Sequence, residues 1–148
     1  MPGMKYLLSI VVSFAAGMLV MAAGVPMKVN YVGHDQVAAT MVKGGQIVAD
    51  NGLIVLANRA VQRGAEMHDK TNHVFIIVDG EATFVTGGKL IKPNVISPGQ
   101  TRAEGIEGGQ SHHLSKGDVI TIPANTPHWW KDTSKTGSVG YYAVNIEQ

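Results

Sequence analysis

Short segments rich in β-branched residues, cut apart by turn residues, constrain this chain more than any other feature. The segments are QIVA (46–49), LIVLANR (53–59), HVFIIV (73–78), EATFVT (81–86), DVITI (118–122) and GYYAVNI (140–146). Between them fall Asp50-Asn51-Gly52, Asp79-Gly80, Gly87-Gly88, Lys116-Gly117 and the corner from Pro123 to Pro127. Short strands at regular spacing with such punctuation predict an all-β sandwich or barrel. A parallel α/β fold is excluded, because no helical pattern of about 10–15 residues separates the strands. The best helical stretch is DQVAATMVKGG, with Asp35 as cap, Val37, Ala38 and Met41 on one face, and Gly44 to end it. It predicts a short helix ahead of the barrel. The stretch 92–109, KPNVISPGQTRAEGIEGG, has weak periodicity and reads as a lid, a binding loop or a locally disordered connection.

The first 24 residues read as a cleavable signal segment. Lys5 is the only charge before Lys28, and it precedes the uncharged stretch YLLSIVVSFAAGMLV, which ends in the small residues MAAG. The alternative is an uncleaved anchor, since residues 6–27 are numerous enough to span a bilayer. Cleavage leaves residues 25–148 as one domain, periplasmic or secreted, with no stable membrane span after processing. The chain has no cysteine, which excludes disulfides, thiolate chemistry and lipidation through cysteine. All eleven acidic residues and eleven of the twelve basic ones follow Gly24, so the domain is formally neutral. No basic stripe is present, and nucleic acid is not an expected partner. A domain of this size can fold on its apolar core, so a metal would be present for function.

Glu66 and His68 are two apart, and on a strand such residues point to one face. Asp69 to Asn72 is turn chemistry, and His73 then opens the apolar run VFIIV, which can return antiparallel beside the first strand. Three potential ligands thus converge from a short stretch of chain. Farther on, GDVITIPANTPHWW reads as strand, turn, strand, with Asn125 suited to positive φ and His128 opening the second strand. Trp129 and Trp130 then face opposite sides, one inward and one outward. His112 and His113 are likewise adjacent, and read as surface or internally satisfied histidines. Arg59 and Arg102 are candidates for an anionic substrate, with a solvated arginine as the default.

These two blocks resemble the two motifs of the cupin superfamily. In the first, Glu66, His68, His73 and Gly80 fall at the family's spacing. In the second, Gly117, Pro123, Asn125, His128 and Asp132 do so. Departures are Ala60 for the opening glycine, Glu66 for the first histidine, His73 for the glutamate and Asp132 for the closing asparagine. The resemblance implies a small single-domain secreted cupin of bacterial type, a double-stranded β-helix or jelly-roll barrel. It implies a metal site of Glu66, His68, His73 and His128. The carboxylate and one imidazole have exchanged places, but the inventory of three imidazoles and one carboxylate is retained. Such a set suits a divalent first-row metal: Mn, Fe, Co, Ni, Cu or Zn. The alternative is a group of polar residues at the barrel mouth bonded to one another.

Two function classes follow. One is a metal-dependent enzyme of dioxygenase, isomerase or lyase type acting on a small organic molecule, with Glu66 as candidate general base. The other is a non-catalytic secreted module that binds a metal or small ligand. Oligomeric state is open, and pairing of exposed sheet edges makes a homodimer one candidate assembly.

Overall fold

The computed structural model describes residues 27–148, so the expected signal segment (1–24) lies outside the described residues. Helix α1 (His34–Lys43) precedes the strands. Its N-cap is Gly33 in extended conformation, with no side-chain capping bond. Asp35, expected as the cap, sits instead in the first turn, where its charge favours the helix dipole. Gly44 ends the helix at φ 72°, and its N–H donates to the Thr40 carbonyl at 2.7 Å.

The strands follow in chain order as β1 (Gly45–Asp50), β2 (Leu53–Ala60), β3 (Ala65–His68), β4 (Thr71–Asp79) and β5 (Glu81–Thr86). Next come β6 (Lys89–Ile91), β7 (Asn94–Ser97), β8 (Gln100–Ala103) and β9 (Gly105–Glu107). The last four are β10 (Gln110–Ser115), β11 (Val119–Ile122), β12 (His128–Asp132) and β13 (Val139–Glu147). One sheet has the order β1-β2-β13-β4-β11, a second β10-β5-β12-β3-β8-β7, and β6 pairs with β9. This is the expected all-β double-stranded β-helix with one short helix.

Two local expectations change. The stretch 92–109 is neither lid nor disordered, since it contains β7, β8 and β9. And β3 and β4 are not ladder neighbours: β3 pairs with β12 and β8 in one sheet, and β4 with β13 and β11 in the other. The connection at Asp69 and Lys70 is therefore a corner between sheets, and His68 and His73 face each other across the barrel interior.

The closed end of that interior is aromatic. Phe75, Phe84, Trp130 and Tyr141 are all buried. Phe84 and Trp130 lie 4.5 Å apart between ring centroids, and Phe75 and Tyr141 4.9 Å. Burial alternates along β4 so that Thr71, His73, Phe75 and Ile77 face inward. The period-two rule thus sets His73 directly above the aromatic plug. Trp130 faces into this core, and Trp129 packs on the other side against Gly105.

Candidate metal centre

Three strands bring three imidazoles together: His68 from the end of β3, His73 near the start of β4 and His128 from the first position of β12. Their ring centroids are 4.9, 5.2 and 5.3 Å apart, and one ring nitrogen of each lies within 4.8 Å of the others. The corner between β11 and β12 sets the distance. Asn125, at φ 61°, donates its backbone N–H to the His68 carbonyl at 2.8 Å and its side-chain amide to the Asp69 carbonyl at 3.1 Å. The Ala124 N–H bonds the Asn72 side chain at 3.0 Å. These bonds tie the second block to the first, and so fix where His128 enters.

Each imidazole is held from behind. His73 Nδ1 bonds Asn145 Oδ1 at 2.7 Å, and His128 Nδ1 bonds the Thr126 carbonyl at 3.0 Å. His68 Nδ1 bonds Gln100 Oε1. Three oxygen acceptors place the proton on Nδ1 in every ring and leave Nε2 with its lone pair. The Nε2 atoms of His73 and His128 are buried without any hydrogen-bond partner. An unpartnered buried acceptor is costly, and two beside a third imidazole, all with fixed tautomers, are what a metal requires of its ligands. The residues present therefore fit a divalent transition ion.

Burial depresses the basicity of two of these rings. It carries His73 down to about 4, against the partial compensation of Asn145. His68 is also lowered, first by burial and then by His128. Both rings stay neutral at ordinary pH, the state that binds metal.

Glu66 stands beside the three imidazoles. Its Oε1 is 3.6 Å from His128 Nε2, its register partner across β3 and β12. The carboxylate is engaged by two guanidiniums, Arg63 at 3.1 Å and Arg102 at 2.8 Å. Burial alone would raise its pKa, but the neighbouring His128 and the charges of Arg63 and Arg102 outweigh that and hold it at about 2. It is therefore anionic at any working pH.

A cavity of about 290 Å³ opens onto His68, His73 and Glu66, and is bordered by Arg63, Gln100, Arg102 and Asn145. His128 is 1% exposed and is not among the residues that line this cavity. Of the two arginines singled out from sequence, Arg102 reaches this cavity, whereas Arg59 pairs with Asp79 at 2.8 Å elsewhere. His112 is bonded to Thr86 Oγ1 at 2.8 Å, and exposed His113 lies 2.9 Å from Glu81. Both fit the reading that kept them out of the site.

Sequence reasoning missed Arg63, Gln100 and Asn145. One signal was available for β8. Gln100 and Arg102 repeat the two-residue spacing of Glu66 and His68, and the antiparallel register sets His68 opposite Gln100 and Glu66 opposite Arg102.

Residues 39–148 match the family model described as Cupin. No curated protein matches the chain in sequence. Among solved structures, hydroxypropylphosphonic acid epoxidase from S. wedmorenis superposes with a TM-score of 0.53 at 17% identity, over 70% of this chain and 49% of that one. Its complex with fosfomycin gives the same score and identity over 72% of this chain and 53% of that one. The chain thus spans about half the length of these neighbours. A Klebsiella pneumoniae protein with a double-stranded β-helix domain has a TM-score of 0.49 at 14% identity, over 69% of each chain.

Proposed function

The chain belongs to the cupin family, and we propose that it is a metal-dependent enzyme of dioxygenase, isomerase or lyase type acting on a small organic molecule. His68, His73 and His128 would hold a divalent first-row ion. The observation that carries this reading is the pair of buried, unpartnered Nε2 atoms on His73 and His128, each ring fixed through Nδ1. The iron(II) form of the similarly folded epoxidase is a property of that protein; iron is one of the first-row ions that three imidazoles suit.

A bound ion would act as a Lewis acid toward a substrate oxygen or lower the pKa of a bound water. The chain's own residues do the rest. Gln100, Asn145 and the Thr126 carbonyl hold the three rings through Nδ1 and so leave each Nε2 available to an ion. Phe75 and Phe84 lie beside the histidines and keep water from the buried side. Two of the three imidazoles line the cavity, so an ion there is reachable by a small molecule. That access favours an enzyme over a closed binding module, because catalytic sites keep an open position. Glu66 serves as a base only after leaving its arginines, since a carboxylate near 2 accepts protons poorly at neutral pH. Export of the domain belongs to the same reading and rests on the uncharged segment after Lys5.

Elemental analysis of the purified protein tests the centre. About one divalent ion per chain is expected in the wild type, and less than about a tenth of that in His128→Ala with the fold retained by circular dichroism. Equal metal content in the two proteins sinks the reading. Azide perturbing the spectrum of the cobalt-loaded protein would mark an exchangeable position.

A further inference from the structure

We propose that the ligand of this cavity is a small organic carboxylate, received by Arg63 and Arg102, and that Glu66 occupies its place until it arrives. This rests on the metal-centre reading for the ligand's second anchoring point, but the arginine geometry stands apart from it.

Two guanidiniums converge on a single carboxylate, so one positive charge at the cavity mouth is left uncompensated by Glu66. Each guanidinium has five donors and the ion pair uses one nitrogen of each, so an incoming carboxylate can engage the remaining donors before it takes over those held by Glu66. Both side chains are accessible, Arg63 at 39% and Arg102 at 47% exposure, while the Glu66 side chain between them is 10% exposed. An incoming anion therefore meets the arginines before it meets Glu66.

Neither arginine hangs on a free loop. Arg102 sits on β8, paired on one side with Glu66 and on the other with Asn94. The Arg63 backbone, between β2 and β3, is tied to β12: its carbonyl accepts from Trp129 Nε1 at 2.5 Å, and its N–H donates to the Trp130 carbonyl at 3.4 Å. A guanidinium fork on a held backbone binds a planar carboxylate with less ordering cost than a solvated lysine would. The volume of about 290 Å³ limits the ligand to a small acid, at or below the lower end of ordinary ligand pockets. A carboxylate on the arginines would point the rest of such a molecule toward the Nε2 atoms of His68 and His73. It would also displace Glu66 from its pairs, so the same event that seats the ligand releases a carboxylate beside the imidazoles.

The test compares lactate with its neutral isostere lactamide by isothermal titration, using zinc-loaded and metal-free protein, with metal content measured in each sample. In the wild type, lactate should bind about tenfold more tightly than lactamide, the worth of one charge-assisted pair. Arg102→Gln should remove that preference at unchanged metal content. Glu66→Gln should tighten lactate binding severalfold, because the internal competitor has gone; a carboxylate that merely braces the arginines would give the opposite sign. Equal affinity for the two probes, or a preference that survives both Arg102→Gln and Arg63→Gln, overturns the proposal. If zinc fails to load, the metal-centre reading falls, and the preference in metal-free protein still decides whether the arginines select an anion.

Discussion

Asn145 lies directly opposite His73 in the ladder between β13 and β4, and its Oδ1 holds the His73 Nδ1 at 2.7 Å. The side chain that orients the ligand is thus placed by sheet register, not by a loop. His68 and Gln100 repeat the relationship between β3 and β8. Cross-strand neighbours on one face have Cβ atoms about 4.5–5.5 Å apart, which suits an amide reaching an imidazole.

Asn145→Leu removes that support without changing the strand. Metal affinity should fall about 10–100-fold, as for other lost supports behind a ligating histidine. Asn145→Asp keeps an acceptor and should retain most of it. Competition against a chelating dye measures both. Equal affinity in wild type and Asn145→Leu would mean that packing alone orients His73.

The same relationship explains what could be read from the chain in advance. The strands HVFIIV and EATFVT were legible because β-branched runs end at Asp-Gly and Gly-Gly turns, and β5 spans the residues of EATFVT, 81–86. Strand β7 was not, because all four of its residues are exposed and it lies at a sheet edge, where no burial alternation is imposed. His68, His73 and His128 were legible as a group because each lies at or near the end of a strand beside a turn. Gln100 and Asn145 were not, because they lie 32 and 72 positions from the histidines they serve. Register over such separations follows from the closed barrel, which no local pattern encodes. The placement of Glu66 between two arginines was hidden for the same reason.

Asn125 offers a test of how the two blocks are joined. Its φ of 61° is tolerated by Asn and Gly but strained for a β-branched residue by about 1–2 kcal/mol. Asn125→Val also loses the bond to the Asp69 carbonyl, worth about 1 kcal/mol. Urea unfolding should show a loss of about 2–3 kcal/mol for Asn125→Val. Asn125→Gly relieves the strain and should lose only about 1 kcal/mol. If Val is no worse than Gly, the corner does not need its left-handed backbone.

Phe84 is fully buried between Trp130 and Phe75 and approaches the His128 ring at 6.2 Å. Phe84→Ala should cost about 3–5 kcal/mol of stability, through lost burial and the cavity left behind. Because that cavity would open under His128, metal affinity should fall as well. Phe84→Leu fills most of the space, and should recover both. Denaturant midpoints and dye competition on the same samples distinguish a plug that supports the site from one that only fills the barrel.

Acid should weaken the metal-free protein in two separate windows. His73 is held at about 4 in the fold by burial, below its ordinary 6.5, so as pH falls below 6.5 the unfolded chain takes a proton that the native ring refuses. Stability conferred by this site is full above 6.5 and declines as pH drops toward 4; His68, lowered by burial too, adds to the same decline. Glu66 acts lower. Its pKa falls from 4.5 to about 2 because His128, Arg63 and Arg102 outweigh the cost of burial, so its contribution is full above 4.5 and is lost on the way to 2. Urea unfolding of metal-free protein between pH 7 and 3 should show the first decline in wild type and a smaller one in His73→Gln. Proton NMR should find the His73 ring still neutral at pH 5. A His73 midpoint near 6.5 would mean that the imidazole is solvated, and that the cavity floor is wetter than its aromatic lining implies.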